Sequence, residues 1–206
     1  MKSKILKTKI KSWFEKTDGV AYVCFEYKDE IYRTNLRGRH QAINMARVVE
    51  DALQTGATRE QIDKLLMNQP LDGKFETLQQ NPRVIFNIIE SPEDMKNFVT
   101  CVGDYFGRAM QARMASHENL HPAPFKRLII ADVFYPELTK IKQNVTIIFM
   151  RADLCNQYRA QYKGVVKTHV LPFDAALASI KDYPDHKTFI IGGRDLYETS
   201  KKHVRR

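Results

Sequence analysis

The chain has 206 residues, room for one packed domain with an attached arm or for two small domains. Apolar residues make up 43% and charged residues 28%, with aromatics at 10%, a balance that excludes a disordered or collagen-like chain. The net charge of +9 invites a nucleic-acid reading, but its distribution argues against one. Lys2, Lys4, Lys7, Lys9, Lys11 and Lys16 stand at one end and Lys201, Lys202, Arg205 and Arg206 at the other, leaving a near-neutral body. A protein that tracks a phosphate backbone needs its cations along one folded face, so nucleic acid is not the expected partner.

The longest apolar runs, Leu128 to Ala131 and Val145 to Met150, are far shorter than the roughly 18 residues of a membrane span. No apolar stretch with a small-residue cleavage site follows Met1. Cys24, Cys101 and Cys155 form no C-x-x-C pair and read as free thiols of a reducing, cytoplasmic compartment.

Leu6, Ile10, Trp13 and Phe14 lie at helical spacing between lysines, which predicts a basic amphipathic helical arm over residues 1–19, packed on its own domain or docked on a partner. Val20 to Tyr27 and Ile31 to Asn35 flank a polar turn and predict a β-hairpin. Ile43, Ala46, Val49 and Leu53 predict a helix stopped by Gly56. Thr58-Arg59-Glu60-Gln61 is a capping-box pattern that opens a second helix, ended by Pro70. Residues 20–79 thus read as a hairpin followed by a helical pair.

From residue 80 onward, strands alternate with helices. Apolar runs at Val84 to Ile89, Leu128 to Val133, Val145 to Met150, Val165 to Val170 and Thr188 to Ile191 predict strands. Pro92, Pro136, Asp153, Pro172 and Arg194 open helices between and after them. The helix from Pro92 is expected to reach about Ser116, and His117 to Pro124 reads as a loop. Solid apolar strands between amphipathic helices predict an α/β fold for residues 80–206. It is a Rossmann-like, mostly parallel sheet with helices on both faces, preceded by the β-hairpin and helical pair.

No phosphate-binding G-x-x-x-x-G-K-[ST] loop is present: before Gly73-Lys74 the first glycine is replaced by Asn68, and Phe75 stands where the hydroxyl belongs. Ile191-Gly192-Gly193 ends a strand and opens a helix. This is either a place where backbone amides meet an anion or a glycine pair for tight packing. His117 and His121, four apart at the edge of a proline loop, read as a solvated pair rather than zinc ligands. No nucleophile motif appears, and no catalytic or metal residue is assigned.

The segment Leu36-Arg37-Gly38-Arg39-His40-Gln41-Ala42-Ile43-Asn44-Met45-Ala46 resembles the L-x-G-R-H-Q-x-x-N-x-x-A segment of folylpolyglutamate synthases, and Mur ligases carry a related one. Further landmarks fall in that family's order: Phe75-Glu76, Asn81-Pro82-Arg83-Val84-Ile85, Pro92, Lys126-Arg127-Leu128-Ile129, and Phe173-Asp174-Ala175-Ala176-Leu177 before the Gly-Gly turn. The resemblance spans about residues 20 to 203. It implies the C-terminal, glutamate-side domain of such a ligase, with a topology similar to dihydrofolate reductase, after the last hairpin and helices of its ATPase domain.

The same resemblance assigns His40, Gln41, Asn44 and Lys74 to cofactor binding and Asn87 and Glu90 to substrate binding, while Gly192, Gly193 and Arg194, at a strand end that opens a helix, are expected to hold an anionic substrate by amides, dipole and guanidinium. Where the family has W-P-G-R this chain has Leu71-Asp72-Gly73-Lys74. Where the family has D-G-A-H-N-P it has Asn87-Ile88-Ile89-Glu90-Ser91-Pro92, so the acid and the histidine of the family site are replaced. The expectation is a non-catalytic binding or interaction module that uses no cofactor. The alternative is a glutamate-ligase subunit using ATP and magnesium, completed in trans by a separate ATPase domain. Expected partners are a second copy or another protein at residues 20–70, and a small anionic ligand.

Overall fold

Two sheets of different character organise the chain. In the computed structural model the described residues are 10–17, 20–36, 38, 40–80, 82–102, 126–184 and 186–204. The chain divides into one unit over Met1–Asp72 and another over Gly73–Arg206.

The first unit holds an antiparallel sheet of β1 (Ser12–Thr17), β2 (Val20–Tyr27) and β3 (Glu30–Thr34), in that order. β2 and β3 close through the two-residue turn Lys28-Asp29, with Tyr27 opposite Glu30. Both turn residues have positive φ, 51° and 64°, the primed turn whose twist suits a tight hairpin. Helices α1 (His40–Gln54) and α2 (Arg59–Met67) follow, and the expected capping box at Thr58 and Gln61 is present with both of its hydrogen bonds. Val23, Phe25, Tyr32, Met45, Val49 and Leu66 form the unit's core.

Two polar anchors tie β3 to α2. The fully buried Thr34 hydroxyl donates to the Leu66 carbonyl at 3.1 Å and accepts from the Leu36 N–H at 3.2 Å. Arg59 donates to Glu30 (2.6 Å) and Asp63 (2.8 Å) and lies 4.2 Å from the centre of the Tyr32 ring.

One expectation fails here. Ser12–Thr17 is a strand paired along its length with β2, Trp13 opposite Cys24, not the end of an amphipathic helix. The spacing of Ile10, Trp13 and Phe14 fits a helix locally, but a free edge on β2 offers a ladder of backbone bonds that a short isolated helix does not match. Leu6 and the other residues of the arm before Ile10 lie outside the described residues.

The second unit holds a six-stranded sheet in the order β4-β5-β9-β6-β7-β8. Its strands are β4 (Glu76–Gln79), β5 (Val84–Ile88), β6 (Lys126–Ala131), β7 (Val145–Phe149), β8 (Lys167–Val170) and β9 (His186–Gly192). Only β4 is antiparallel, paired with β5; every other pairing is parallel. The helices are α3 over 92–102, α4 (Ala152–Gln161), α5 (Phe173–Ala178) and α6 (Arg194–Val204), with 3-10 turns at Pro136–Lys140 and Ser179–Asp182. Any course of α3 toward Ser116 and the His117 to Pro124 loop lies outside the described residues.

Strand residues alternate between two cores, as a sheet covered on both faces requires. Ile85, Ile129, Ile147 and Phe189 pack with Met95 and Phe98 of α3 and Leu154 and Tyr158 of α4. Phe86, Leu128, Ile130, Ile148 and Ile190 pack with Ala176 of α5 and Leu196 and Tyr197 of α6. The fold class expected from the alternation is the one observed. Among the described residues, no helix is long and apolar enough to cross a membrane.

Tyr158 is 1% exposed, and its hydroxyl has no hydrogen-bond partner among the described residues. Burial, and then the neighbouring Tyr162, push its pKa up to about 12. An acid whose folded pKa is raised contributes stability that is complete below its unfolded value near 10 and is lost as pH rises toward 12. Tyr158→Phe removes an unsatisfied buried hydroxyl. We expect its Tm at pH 7 to be unchanged or higher and its loss of stability above pH 10 to be shallower than in the parent chain, read by circular dichroism melts. A clearly lower Tm at pH 7 would contradict this account.

Candidate functional site

Parallel strands end together, and the crevice beyond their carboxyl ends is where open α/β sheets receive ligands. In the second unit the ends are stitched by backbone bonds. Ile89 N–H donates to Gly192 O at 2.9 Å, Asp132 N–H to Ile191 O at 3.0 Å, and Met150 N–H to Ala131 O at 2.9 Å. The loops after β5, β6, β7 and β9 are therefore neighbours there.

Gly192 is buried and Gly193 half-buried at the start of α6, whose first turn is fixed by Tyr197 N–H donating to Gly193 O at 3.2 Å. A Cβ on Gly192 would stand 2.6 Å from Leu196 Cδ2 and 3.4 Å from Asp132 Cβ, whereas one on Gly193 would meet nothing within 4 Å. The two glycines differ accordingly. Gly192 is required by packing, while Gly193 faces open space in front of the helix N-terminus, and Arg194 follows it exposed. The packing reading thus holds for Gly192, and Gly193 leaves open the space that an anion at the helix start would need.

Asp132, at the end of β6, is the residue that motif reading missed. It is half-buried, and burial raises its carboxyl pKa, with Arg151 opposing and Asp153 adding to the rise. Arg151 itself holds Asp153 at 3.3 Å. An acid directly after the apolar run Leu128 to Ala131 was the available signal, since that position is the carboxyl end of a strand.

The loop after β5 is ordered by its own polar groups. Ser91 Oγ donates to Asp94 Oδ2 (2.7 Å), the Asp94 N–H donates back to Ser91 Oγ (3.1 Å), and the Glu90 N–H donates to Asp94 Oδ2 (3.2 Å). Tyr135 hydroxyl donates to the Glu90 carbonyl at 3.1 Å. The Glu90 backbone is pinned while its side chain stays exposed.

Asn87 and Lys74 belong to a second layer of this region. Asn87 is 5% exposed, and its amide is spent on the chain: Oδ1 accepts the Phe75 N–H at 3.0 Å and Nδ2 donates to Ile88 O at 3.3 Å. It supports a turn in which Asp72, Gly73 and Phe75 all have positive φ. Gly73 N–H donates to Glu76 Oε2 at 3.1 Å, Ile88 N–H donates to Gly73 O at 2.7 Å, and the Tyr197 hydroxyl donates to the same Glu76 oxygen. The Gly-Lys pair therefore makes a bent turn braced on β5 and α6. Lys74 projects from it exposed.

The remaining three predicted residues lie in the first unit. His40, Gln41 and Asn44 open α1 as a short chain of contacts, with Gln41 Nε2 3.1 Å from His40 Nε2 and Asn44 Nδ2 donating to Gln41 Oε1 at 3.1 Å. Gln41 is buried and Asn44 exposed. Gly38, at φ +101°, leaves the space that the His40 ring fills.

No family profile and no curated protein matches the chain. Solved structures do match. Folylpolyglutamate synthetase from Lactobacillus casei aligns with TM-score 0.60 at 15% identity, over 96% of this chain and 47% of its own. Folylpolyglutamate synthase from Mycobacterium tuberculosis, solved with ADP and AMPPCP, aligns with TM-score 0.60 at 14% identity, over 94% and 47%. UDP-N-acetylmuramate-alanine ligase from Thermotoga maritima gives 0.61 at 14% identity, over 90% and 42%.

The braced turn yields a direct test. An added Cβ on Gly73 would lie 2.6 Å from Ile88 Cδ1 at a φ of +74°, so Gly73→Ala combines a clash with backbone strain. We expect a loss of about 1–3 kcal/mol in urea unfolding, with the double variant Gly73→Ala/Ile88→Ala losing less than the sum of the two single changes. Simple additivity would show that Ile88 does not constrain the turn. The chain spans less than half the length of each of these ligases, and its fold is that of the Mur ligase C-terminal region.

Proposed function

We propose that the chain is a stand-alone binding module built on the glutamate-side domain of the folylpolyglutamate synthase type, without ligase activity of its own. Its ligand is a small amino acid or other carboxylate bound beyond the carboxyl ends of the second unit's strands. The observation that carries the reading is Asp132 beside Gly192, next to the open Gly193. An amino acid presents a carboxylate and an ammonium group. The α6 N-terminus with Arg194 suits the first by its amides, its dipole and a guanidinium, and Asp132 suits the second. Glu90 and Lys74, both exposed, complete the set as contacts for a side-chain end.

Two features support a role without catalysis. Phosphoryl transfer rests on phosphate positioning and charge neutralisation, and Gly73-Lys74 sits in a bent turn rather than a phosphate-cradling loop. Asn87, at the place of the family's acid, has its amide engaged by Phe75 and Ile88. The competing reading is a ligase subunit that uses ATP and magnesium and is completed by a separate ATPase domain. It keeps its standing from the first-unit segment that resembles the family's.

The test is an NMR titration with glutamate, phosphate and a folate, repeated on Asp132→Asn and Arg194→Ala. We expect glutamate to shift the Gly193 and Asp132 resonances with phosphate weaker, Arg194→Ala to weaken both ligands, and Asp132→Asn to weaken glutamate alone. No shift near Gly193 with any ligand would end the binding reading, and ATP-dependent glutamate addition by the purified chain would end the non-catalytic one.

A partner at the first unit is part of the same proposal. Ile31, Ile43, Leu53 and Leu65 are 56%, 44%, 38% and 43% exposed there, apolar surface that suits a second copy or another protein. Light scattering on the pure chain is expected to give a dimer or larger species that Ile43→Glu/Leu65→Glu dissociates. A monomer indifferent to those changes would remove self-association.

A further inference from the structure

We propose that the second unit binds the phosphate backbone of single-stranded nucleic acid along a row of cations at the amino-terminal ends of its parallel strands, on the edge opposite the candidate ligand site. This goes beyond the binding reading above and does not depend on it.

The row is visible only in the strand register. Arg127 of β6 is paired with Lys187 of β9, and Val84 of β5 with Thr188, so Arg83 stands at the level of Lys187 on the next strand. Arg83 O accepts the Thr188 N–H at 3.3 Å, which holds that level. Lys126 starts β6, Lys142 precedes β7 by three residues, and Lys167 starts β8. Five neighbouring strands, β5, β9, β6, β7 and β8, thus each bring a cation to one edge. At the usual spacing of about 4.8 Å per strand the row is about 19 Å long.

The placement brings like charges together. Arg83, Lys187 and Arg127 lie side by side at one level on three adjacent strands, and like charges directly opposite in a sheet are destabilising. Burial also lowers the pKa of the Arg127 guanidinium from its ordinary value, and one of its nitrogens donates to the Gln143 carbonyl at 3.1 Å. Lys126 and Lys142 are exposed and make no ion pair among the described residues.

Helix polarity adds to the effect. α6 ends at this edge with Lys201, Lys202 and His203, while Asp153, Asp174 and Asp195 sit in the first turns of α4, α5 and α6 at the other. Acids at helix starts and bases at helix ends follow the macrodipole, but the strand starts have no such reason to be basic. Asp182 is the acid in the loop before β9, and Asp185 beside it lies outside the described residues.

A linear row of point charges fits a linear polyanion. Lysine dominates the row, which suits diffuse backbone contact rather than base reading by forked donors. Tyr183 at this edge packs against the His186 ring at 5.0 Å and lies under Lys167 Nζ at 5.8 Å, so it is engaged within the fold and binding should be independent of sequence. The near-neutral body read from the sequence is the sum of a basic edge and an acidic one.

The experiment is fluorescence anisotropy of a labelled oligothymidine of about 20 nucleotides with the full chain. Neutralising four phosphates at a slope of about 0.7 per phosphate weakens binding about 50-fold between 50 and 200 mM salt. Lys126→Glu/Lys142→Glu/Lys167→Glu is expected to weaken it at least tenfold. Lys2→Glu/Lys4→Glu/Lys7→Glu carries the same change in net charge and is expected to leave it within about twofold. Should the triple edge variant fail to fold by circular dichroism, Lys142→Glu alone, on an exposed loop, is expected to give a smaller loss in the same direction. Equal losses in the two triple variants would reduce the effect to net charge and overturn the proposal. So would absent oligonucleotide binding, and so would capture by phosphatidylserine vesicles in its place, which would make the edge a membrane-docking face.

Discussion

The strand that comes last in the second unit lies in the middle of its sheet. β9 takes a parallel partner on each side, β5 through five register pairs and β6 through six, and Phe189, Ile190 and Ile191 fill both cores. Until residues 186–192 are in place, β5 and β6 have no common neighbour, and the sheet is two unconnected pieces, β4-β5 and β6-β7-β8. Parallel pairing needs long crossovers and closes contacts distant in sequence, so the unit is completed by its final strand and helix. The two proposed binding edges follow from this one insertion. Its carboxyl end delivers Gly192 and Gly193 beside Asp132, and its amino end delivers Lys187 between Arg83 and Arg127.

Those edges have opposite chemistry, and the sheet separates them by the length of its strands. Beyond the carboxyl ends stand Glu90, Asp94, Asp132 and Asp153 around a helix N-terminus and Arg194, a mixed surface suited to a small zwitterion. At the amino ends stands a run of cations suited to a chain of phosphates. The three ligases named above share the fold at only 14–15% identity, so the scaffold is alike where the residues set on it are not. Asn87 illustrates the point. Set by the sequence resemblance at a family site position, it serves in this chain as a brace for the turn at Phe75.

Much of the scaffold is readable in the sequence because local and long-range preferences agree there. The Thr58 capping box, the hairpin around Lys28-Asp29 and the alternation of apolar strands with capped helices all appear where periodicity and turn chemistry put them. β1 is the exception. Trp13 and Phe14 satisfy a helical spacing, and only the partner strand, unknown to a local pattern, decides the competition. The candidate site is half readable. The Gly192-Gly193 turn announces itself by composition, but Asp132 gains meaning from being next to it in space. The cationic row is hidden altogether, since Arg83, Lys126, Lys142, Lys167 and Lys187 are scattered over a hundred residues and only register aligns them.

Amide hydrogen exchange followed by mass spectrometry tests the central claim, that β9 is the keystone on which both edges depend. The amides of residues 188–192 and of β6 should be the slowest of the second unit and should exchange together, at the rate of global unfolding in denaturant. β8, at the sheet's margin, should exchange faster. If residues 188–192 instead opened ahead of β7 and β8, the sheet would stand without its central strand, and neither the Gly193 turn nor the cationic row would be held as described.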